Sequence, residues 1–303
     1  MPSRLTRREF LELGARYAAL LGLSTHLIPS VADALDHLSS GQTKVLWLNA
    51  QTCSGCSVSL LNSTHPGPVE ILTRYISLLF HSTISTATGE LGMAMIDKAI
   101  STGDFVLVVE GSIPYDMPDA CKMGGKPVAS LISSAAERAS HIVAVGACAA
   151  FGGIPGAEGN PTGAISLQRF FEKERMKKPV IAIPGCPIHP DWLVGTLVHL
   201  IKFGPPEMDA LGRPKMFFGR LVHDQCPRFS DYERENFAKT FSSPGCLFKL
   251  GCLGTNTHAD CNLRLWNDGT NACILAGAPC IGCASEAFAH DRSFSFYRKN
   301  ESL

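Results

Sequence analysis

Lys44–Asn49 reads KVLWLN, and just beyond it Cys53-Ser54-Gly55-Cys56 leads into Ser57-Val58-Ser59-Leu60-Leu61. The first run is short, apolar and bounded, the pattern of a buried strand. The cysteine pair then sits on the loop leaving a strand, with a helix following. In open α/β sheets ligands bind outside the carboxyl ends of the strands. A C-x-x-C in that place reads either as a thioredoxin-like redox pair or as half of a metal site.

The same unit recurs further along. Phe105–Val109 (FVLVV) is a continuous apolar run, as in strands buried on both faces of a parallel sheet, and it ends in Glu110-Gly111. A helix over 128–139 leads to a strand at His141–Val145 and then to Gly146-Ala147-Cys148. Strand Val180–Ile183 leads to Pro184-Gly185-Cys186-Pro187. Three strands thus bring cysteines to one edge of one sheet, and Cys53, Cys56, Cys148 and Cys186 make a complete four-thiolate set. Such sets hold iron–sulfur clusters. The expected fold class is α/β with a parallel sheet in the first half.

Other features of this half read more plainly. Gly67-Pro68 opens a helix, and Ile71, Leu72, Tyr75, Ile76 and Leu79 fall at helical spacing as one apolar face packed on the sheet. A further helix is expected from about Gly89 to Ile100. Glu110 reads either as a salt-bridged or hydrogen-bonded structural acid or as a group tuning a nearby cluster or passing protons. The loop Phe151–Gly163 (FGGIPGAEGNPTG) carries neither phosphate-binding glycine fingerprint and is expected to wrap the cluster or meet a partner. His189 is expected to open the next helix.

The chain has 303 residues, 45% hydrophobic and 18% charged, with no formal net charge. That length allows one or two domains with ample core. The balance excludes the basic excess of a nucleic-acid binder and the composition of a disordered chain. At the N-terminus, Thr6-Arg7-Arg8-Glu9-Phe10-Leu11 is a twin-arginine pattern, followed by an apolar stretch from Leu13 to Ile28 and a small-residue cleavage site at Ala32-Asp33-Ala34. Residues 1–34 therefore read as a twin-arginine export signal to the periplasm; the plain alternative is an amphipathic helix beginning with two arginines. Exported thiols usually become disulfides. The twin-arginine route carries proteins already folded and loaded with cofactor, so the signal and a cluster reading support each other.

After about Lys202 the pattern changes. Pro205-Pro206 and Gly212-Arg213-Pro214 suggest a linker between a domain at 43–203 and one at 204–303. The second domain is expected to be irregular, cysteine-rich and held largely by its metal centres, because cluster binding supplies folding free energy. Six of the chain's twelve cysteines fall between Cys246 and Cys283. A density of this kind means disulfides or metal, and the spacing of Cys280-Ile281-Gly282-Cys283 lets two thiolates reach one centre. With His223 there are eight ligands beyond residue 220, grouped as His223, Cys226, Cys246 and Cys252, and as Cys261, Cys273, Cys280 and Cys283. Chain order alone leaves that grouping open, and His258 competes with His223. Cys121 is left over as a non-ligand thiol.

Taken together, the leader, the C-x-G-C-S-V-S-L-L-N stretch at 53–62, Val109-Glu110-Gly111, Gly146-Ala147-Cys148, Pro184-Gly185-Cys186-Pro187, His223 three before Cys226, Gly245-Cys246 six before Cys252, and Pro279-Cys280-Ile281-Gly282-Cys283 span nearly the whole chain. In these the chain resembles the small subunit of periplasmic nickel–iron hydrogenases, nearest the nickel–iron–selenium branch. The resemblance implies a flavodoxin-like first domain with a proximal [4Fe–4S] cluster on Cys53, Cys56, Cys148 and Cys186. It implies a distal [4Fe–4S] cluster on His223, Cys226, Cys246 and Cys252, and a medial cluster on Cys261, Cys280 and Cys283. Common members have a proline where Cys273 stands and a medial [3Fe–4S] cluster. Here the fourth thiolate implies a third [4Fe–4S], and a [3Fe–4S] cluster if Cys273 is not a ligand.

Oxygen-tolerant members carry two extra cysteines where Gly55 and Gly153 stand, so an ordinary proximal cluster is implied. The twenty residues after Cys283 include Asp291, Arg292, Arg298 and Lys299, and no C-terminal membrane anchor fits there. The implied function is electron transfer in a hydrogenase, between the nickel–iron site of a separate large subunit and a cytochrome or other redox partner at the distal cluster. The alternatives are a free-standing multi-cluster ferredoxin-like carrier, the related cluster-bearing subunit of respiratory complex I, and a structural zinc protein.

Overall fold

Five strands form one sheet: β1 (Lys44–Asn49), β2 (Ser77–Phe80), β3 (Val106–Glu110), β4 (His141–Val145) and β5 (Ile181–Ile183), in the order β2-β1-β3-β4-β5. Every pairing is parallel. The order is that of a flavodoxin-like doubly wound sheet, whose switch point lies between β1 and β3. The computed structural model describes residues 43–290, His65 excepted, with a few positions between 12 and 28. The twin-arginine pattern, the 32–34 cleavage site and the residues after His290 lie outside the described residues.

The apolar runs become a two-sided sheet because successive strand side chains point to opposite faces. Val45, Trp47, Val106, Val108, Val143, Val145, Ile181 and Ile183 join one buried cluster. Leu46, Leu48, Leu107, Val109, Ile142 and Ala144 join the other. The second face is covered by α3 (Gly89–Thr102), α4 (Val128–Arg138) and α6 (Leu167–Lys173). The first is covered by α7 (Pro190–Phe203), through Trp192, Leu193, Leu197 and Val198. That core continues without a break into Phe217, Phe218, Val222, Leu247 and Ile274 of the second half.

Two short helices start where β1 and β4 end: α1 (Gly55–Leu61) and α5 (Gly146–Phe151). One expectation from helical spacing fails. Helix α2 (Pro68–Glu70, continuing as a π-turn over Ile71–Tyr75) stops at Tyr75, Ile76 turns to φ −133°, and Leu79 lies on β2. Lys44 and Val45 pair with Ser77 and Leu78. A sheet edge offering unpaired backbone groups outweighs the local periodicity of a five-residue pattern.

Among its described residues the second half has only short helices, including Lys215–Phe218, Phe229–Glu233 and Cys261–Arg264, joined by turns. A buried polar network ties it to α7. Arg264 pairs with Asp260 and with Asp191, and Trp192 Nε1 donates to Asp260 Oδ1 at 2.7 Å. His189, at the start of α7, accepts from Asp191 N through Nδ1 at 3.2 Å; its Nε2–H therefore faces Leu265 O, 2.6 Å away. Among the described residues no helix is long and apolar enough to cross a membrane.

Candidate metal centres

All twelve cysteines are free thiols. The first set gathers at the carboxyl edge of the sheet. Cys53 and Cys56 follow β1, Cys148 lies in the first turn of α5, and Cys186 follows β5. They sit within electrostatic reach of one another: Cys56 of Cys148 and Cys186, Cys148 of Cys186 and Cys53, and Cys186 of Cys53. Cys53 is exposed and Cys56 buried, so the set opens to the surface on one side.

The backbone around these sulfurs has no room for larger residues. Gly146 has φ 88°, and a Cβ there would lie 2.6 Å from Cys56 Sγ. Gly153 has φ 54°, and a Cβ there would lie 2.9 Å from Cys148 Sγ. Amide hydrogens point at the sulfurs instead. Gly55 N donates to Cys53 Sγ at 3.4 Å, Ile188 N to Cys56 Sγ, and Ile154 N to Cys148 Sγ.

The same device recurs in the second half. Arg228 N donates to Cys226 Sγ and Gly282 N to Cys280 Sγ, each at 3.4 Å. Phe248 N serves Cys246, and Gly254 N serves Cys252. In these cases, as at Cys53, the donor stands two residues after the cysteine. A proline is therefore tolerated one residue after a ligand, as at Pro227, but not two. Such N–H···S contacts offset the negative charge of a cluster and tune it.

His223, Cys226, Cys246 and Cys252 line one small pocket with Arg228, Leu247, Phe248 and Ile274. His258 is not among its lining residues; its backbone pairs with that of Leu221. The His223 ring is boxed by Phe229 at 5.1 Å and Tyr232 at 4.5 Å. Burial lowers its pKa, leaving the neutral imidazole that a metal ligand requires. Cys261, Cys273, Cys280 and Cys283 form the other group. Cys261 faces Cys283 and Cys273, Cys280 faces Cys252, Cys283 and Cys261, and Cys283 faces Cys273 and Cys186; Cys273 also lies within electrostatic reach of Cys252. Cys273 is the exposed member. Cys121 has no cysteine among the groups acting on it and packs beside the second core.

Consecutive sets touch. Cys186 N–H donates to Cys283 Sγ, and Cys280 N–H donates to Cys252 Sγ at 3.4 Å. Leu253 N also donates to Cys280 O at 2.8 Å, which clamps the second junction.

Without metal these thiols hold their protons. Burial pushes Cys148 and Cys283 up to about 12, and lifts Cys56 and Cys280 well above the ordinary thiol value. Iron would take the place of those protons. Among the described residues no three His, Cys, Asp or Glu groups close around a point that one metal ion would fill. A single zinc needs its sulfurs about 2.3 Å from one ion, whereas four thiolates on a four-iron cluster stand a cluster's width apart. Four thiols from three separate segments of the chain, amides aimed at the sulfurs, and glycines where a Cβ would intrude fit such a cluster.

Glu110, at the end of β3, is 1% exposed. Its carboxylate accepts from Trp47 Nε1, Asn49 Nδ2, Thr52 Oγ1 and Cys56 N, each at 3.1 Å, and from Ser57 N at 3.4 Å and Ser57 Oγ at 2.5 Å. It is thus a hydrogen-bonded structural acid that also touches a candidate ligand. His81 completes the chain, 2.9 Å from Ser57 Oγ through Nε2. Sequence reasoning missed Ser57, His81 and Arg228. His81 follows β2, the strand hidden behind a helical pattern, whereas Arg228 carries a signal in its position two residues after Cys226.

Comparison with known proteins matches both halves. Residues 53–200 match the family described as NADH ubiquinone oxidoreductase, 20 Kd subunit. Residues 218–296 match the C-terminal family of the NiFe/NiFeSe hydrogenase small subunit. The chain is 41% identical to the periplasmic [NiFeSe] hydrogenase small subunit of Desulfomicrobium baculatum, over 95% of this chain and 98% of that one. It is 38% identical to the hydrogenase-2 small chain of Escherichia coli K12, over 93% of this chain and 77% of that one. The crystal structure of a reduced, active Ni-Fe-Se hydrogenase from D. baculatum superposes with a TM-score of 0.81 at 42% identity, covering 85% of this chain and 99% of that one. Recombinant [NiFeSe] hydrogenase from Desulfovibrio vulgaris Hildenborough gives 0.80 at 38% identity, covering 87% and 99%.

Proposed function

The chain belongs to the small-subunit family of nickel–iron and nickel–iron–selenium hydrogenases and is an electron-transfer subunit of such an oxidoreductase, and from that premise we propose that it carries electrons through three [4Fe–4S] clusters in line. The proximal cluster is held by Cys53, Cys56, Cys148 and Cys186. The medial cluster is held by Cys261, Cys273, Cys280 and Cys283. The distal cluster is held by His223, Cys226, Cys246 and Cys252. The clusters supply one-electron chemistry; this chain's residues hold them, exclude water from them and set their spacing.

The observation that carries the reading is the pair of junctions between consecutive sets. The amide of Cys186 meets Cys283 Sγ, and the amide of Cys280 meets Cys252 Sγ. Each junction links a ligand of one set to a ligand of the next through one hydrogen bond and a few covalent bonds. This supports the order proximal, medial, distal. The exposed Cys53 marks the end that a large subunit bearing the nickel site would cover, and the half-exposed His223 marks the exit to a cytochrome or another redox partner. Export through the twin-arginine route to the periplasm completes the proposal, supported by the twin-arginine pattern at Thr6–Leu11 and by the periplasmic D. baculatum relative. The complex I reading accounts for residues 53–200 alone and leaves the eight ligands of the second half unused.

The test is purification without air under gentle conditions, followed by iron and acid-labile sulfide analysis and EPR of the oxidised protein. A co-purifying large subunit, about twelve irons per heterodimer beyond the nickel site, and no [3Fe–4S] signal are expected. A chain that purifies alone with full iron would favour a free-standing carrier. An oxidised [3Fe–4S] signal would remove Cys273 from the medial set.

A further inference from the structure

The two ends of the proposed relay stand in opposite fixed charge. At the proximal end, the Glu110 side chain is buried and, among the described residues, every contact on its two oxygens comes from a neutral donor: an indole, an amide side chain, hydroxyls and backbone N–H groups. The nearest titratable ring does not offset the charge. His81 Nδ1 accepts from Thr83 N at 3.0 Å and Ile84 N at 3.4 Å, so its proton lies on Nε2 and the ring is neutral. That proton points to Ser57 Oγ, whose own hydrogen goes to Glu110. The carboxylate is therefore uncompensated, and it is one hydrogen bond from the Cys56 backbone.

At the distal end the sign is reversed. Arg228 lines the same pocket as His223, Cys226, Cys246 and Cys252. Its Nη1 donates to Ser243 O at 2.9 Å and Gly245 O at 2.8 Å, two carbonyls that fix the group without neutralising it. Among the described residues no carboxylate pairs with it. Its charge acts on Cys226, Cys246 and Cys252 together. The acids nearby act on one ligand each, Asp231 on Cys246 and Asp224 on His223.

We propose that Glu110 and Arg228 are the chain's potential-setting residues, an uncompensated anion at the first ligand set and an uncompensated cation at the last, which together tilt the relay so that an electron passes more readily from the Cys53/Cys56 end to the His223 end. A reduced cluster carries one more negative charge than an oxidised one. A fixed anion beside it disfavours reduction, and a fixed cation favours it. Glu110 is buried and Arg228 partly buried, so salt screens both less than it would a fully exposed charge. The inference rests on the cluster reading above.

The experiment is an EPR-monitored redox titration of the intact heterodimer and four variants. Glu110→Gln should raise the proximal potential and leave the distal one in place. Arg228→Gln should lower the distal potential and leave the proximal one in place. Each change is expected to shift the reduced-to-oxidised ratio at fixed applied potential by about tenfold, which is 59 mV for one electron. Glu110→Asp and Arg228→Lys keep the charges and should titrate close to the unaltered complex. Potentials that stay put, move the other way, or move as far in the charge-keeping variants would overturn the proposal. If Glu110→Gln fails to assemble, the Arg228 pair decides it: a distal potential unmoved in Arg228→Gln overturns the proposal. A wrong cluster assignment shows as missing iron in the unaltered complex, and a wrong charge role shows as unmoved potentials in complexes with full iron.

Discussion

Replacing Gly146 by alanine tests the geometry of the proximal set most directly. Two effects act at that position and can be separated. Gly146 has φ 88°, a backbone conformation that an L side chain adopts at a cost of about 1–3 kcal/mol. In addition its new Cβ would meet Cys56 Sγ at 2.6 Å, inside van der Waals contact. Gly159 provides the control: its φ is 78°, but a Cβ there meets nothing within 4 Å. Gly159→Ala should therefore cost stability by the backbone term alone, lowering the melting temperature by a few degrees for about 1 kcal/mol, with cluster content intact. Gly146→Ala should melt lower still and lose the proximal cluster, because Cys56 cannot withdraw while its amide is tied to Glu110 and its sulfur to Ile188 N. Iron analysis, the EPR signal of the reduced proximal cluster and thermal melts of the heterodimer read these terms separately. A Gly146→Ala complex with full iron and a melting temperature equal to that of Gly159→Ala would refute the placement of Cys56 Sγ against α5.

Three further outcomes follow from the same geometry. Cys273→Ala removes the exposed thiolate of the medial set and should yield an oxidised [3Fe–4S] signal with one iron fewer; an unchanged spectrum would make Cys273 a bystander. His223→Cys should keep the iron count, since a thiolate replaces the imidazole, yet slow electron exit several-fold; equal turnover with an external acceptor would remove the special role of the histidine. Iron release to a chelator should accelerate as pH falls. Burial raises the ligand thiols above their ordinary value, to about 12 at Cys148 and Cys283, so every sulfur freed below that range takes up a proton. Cluster loss thus consumes protons, and its equilibrium shifts by up to about tenfold per pH unit for each proton taken up. Release rates followed by bleaching from pH 9 to 6 check the sign; a rate that falls with pH would contradict it.

The α/β class, the strands at Lys44–Asn49 and His141–Val145, and the delivery of cysteines to one sheet edge were legible in the order of the amino acids. A strand buried on both faces must be apolar throughout, so its run is visible in one dimension, and the carboxyl end of such a strand is where a parallel sheet leaves room for a ligand. The motifs of the second half carried the family in the same way, because ligand spacing is set by the reach of a few bonds. Features that depend on partners distant in the chain emerge only on folding. Ser77–Phe80 is a strand because β1 is beside it, although its apolar spacing continues that of a helix. Which of the eight later candidate ligands stand together was open in chain order; Cys252 and Cys280 meet across a junction that no spacing foretells. The charges of Glu110 and Arg228 gain their meaning from what surrounds them, since a lone acid or base in a sequence carries no record of its neutral partners or of the cysteines that folding brings beside it.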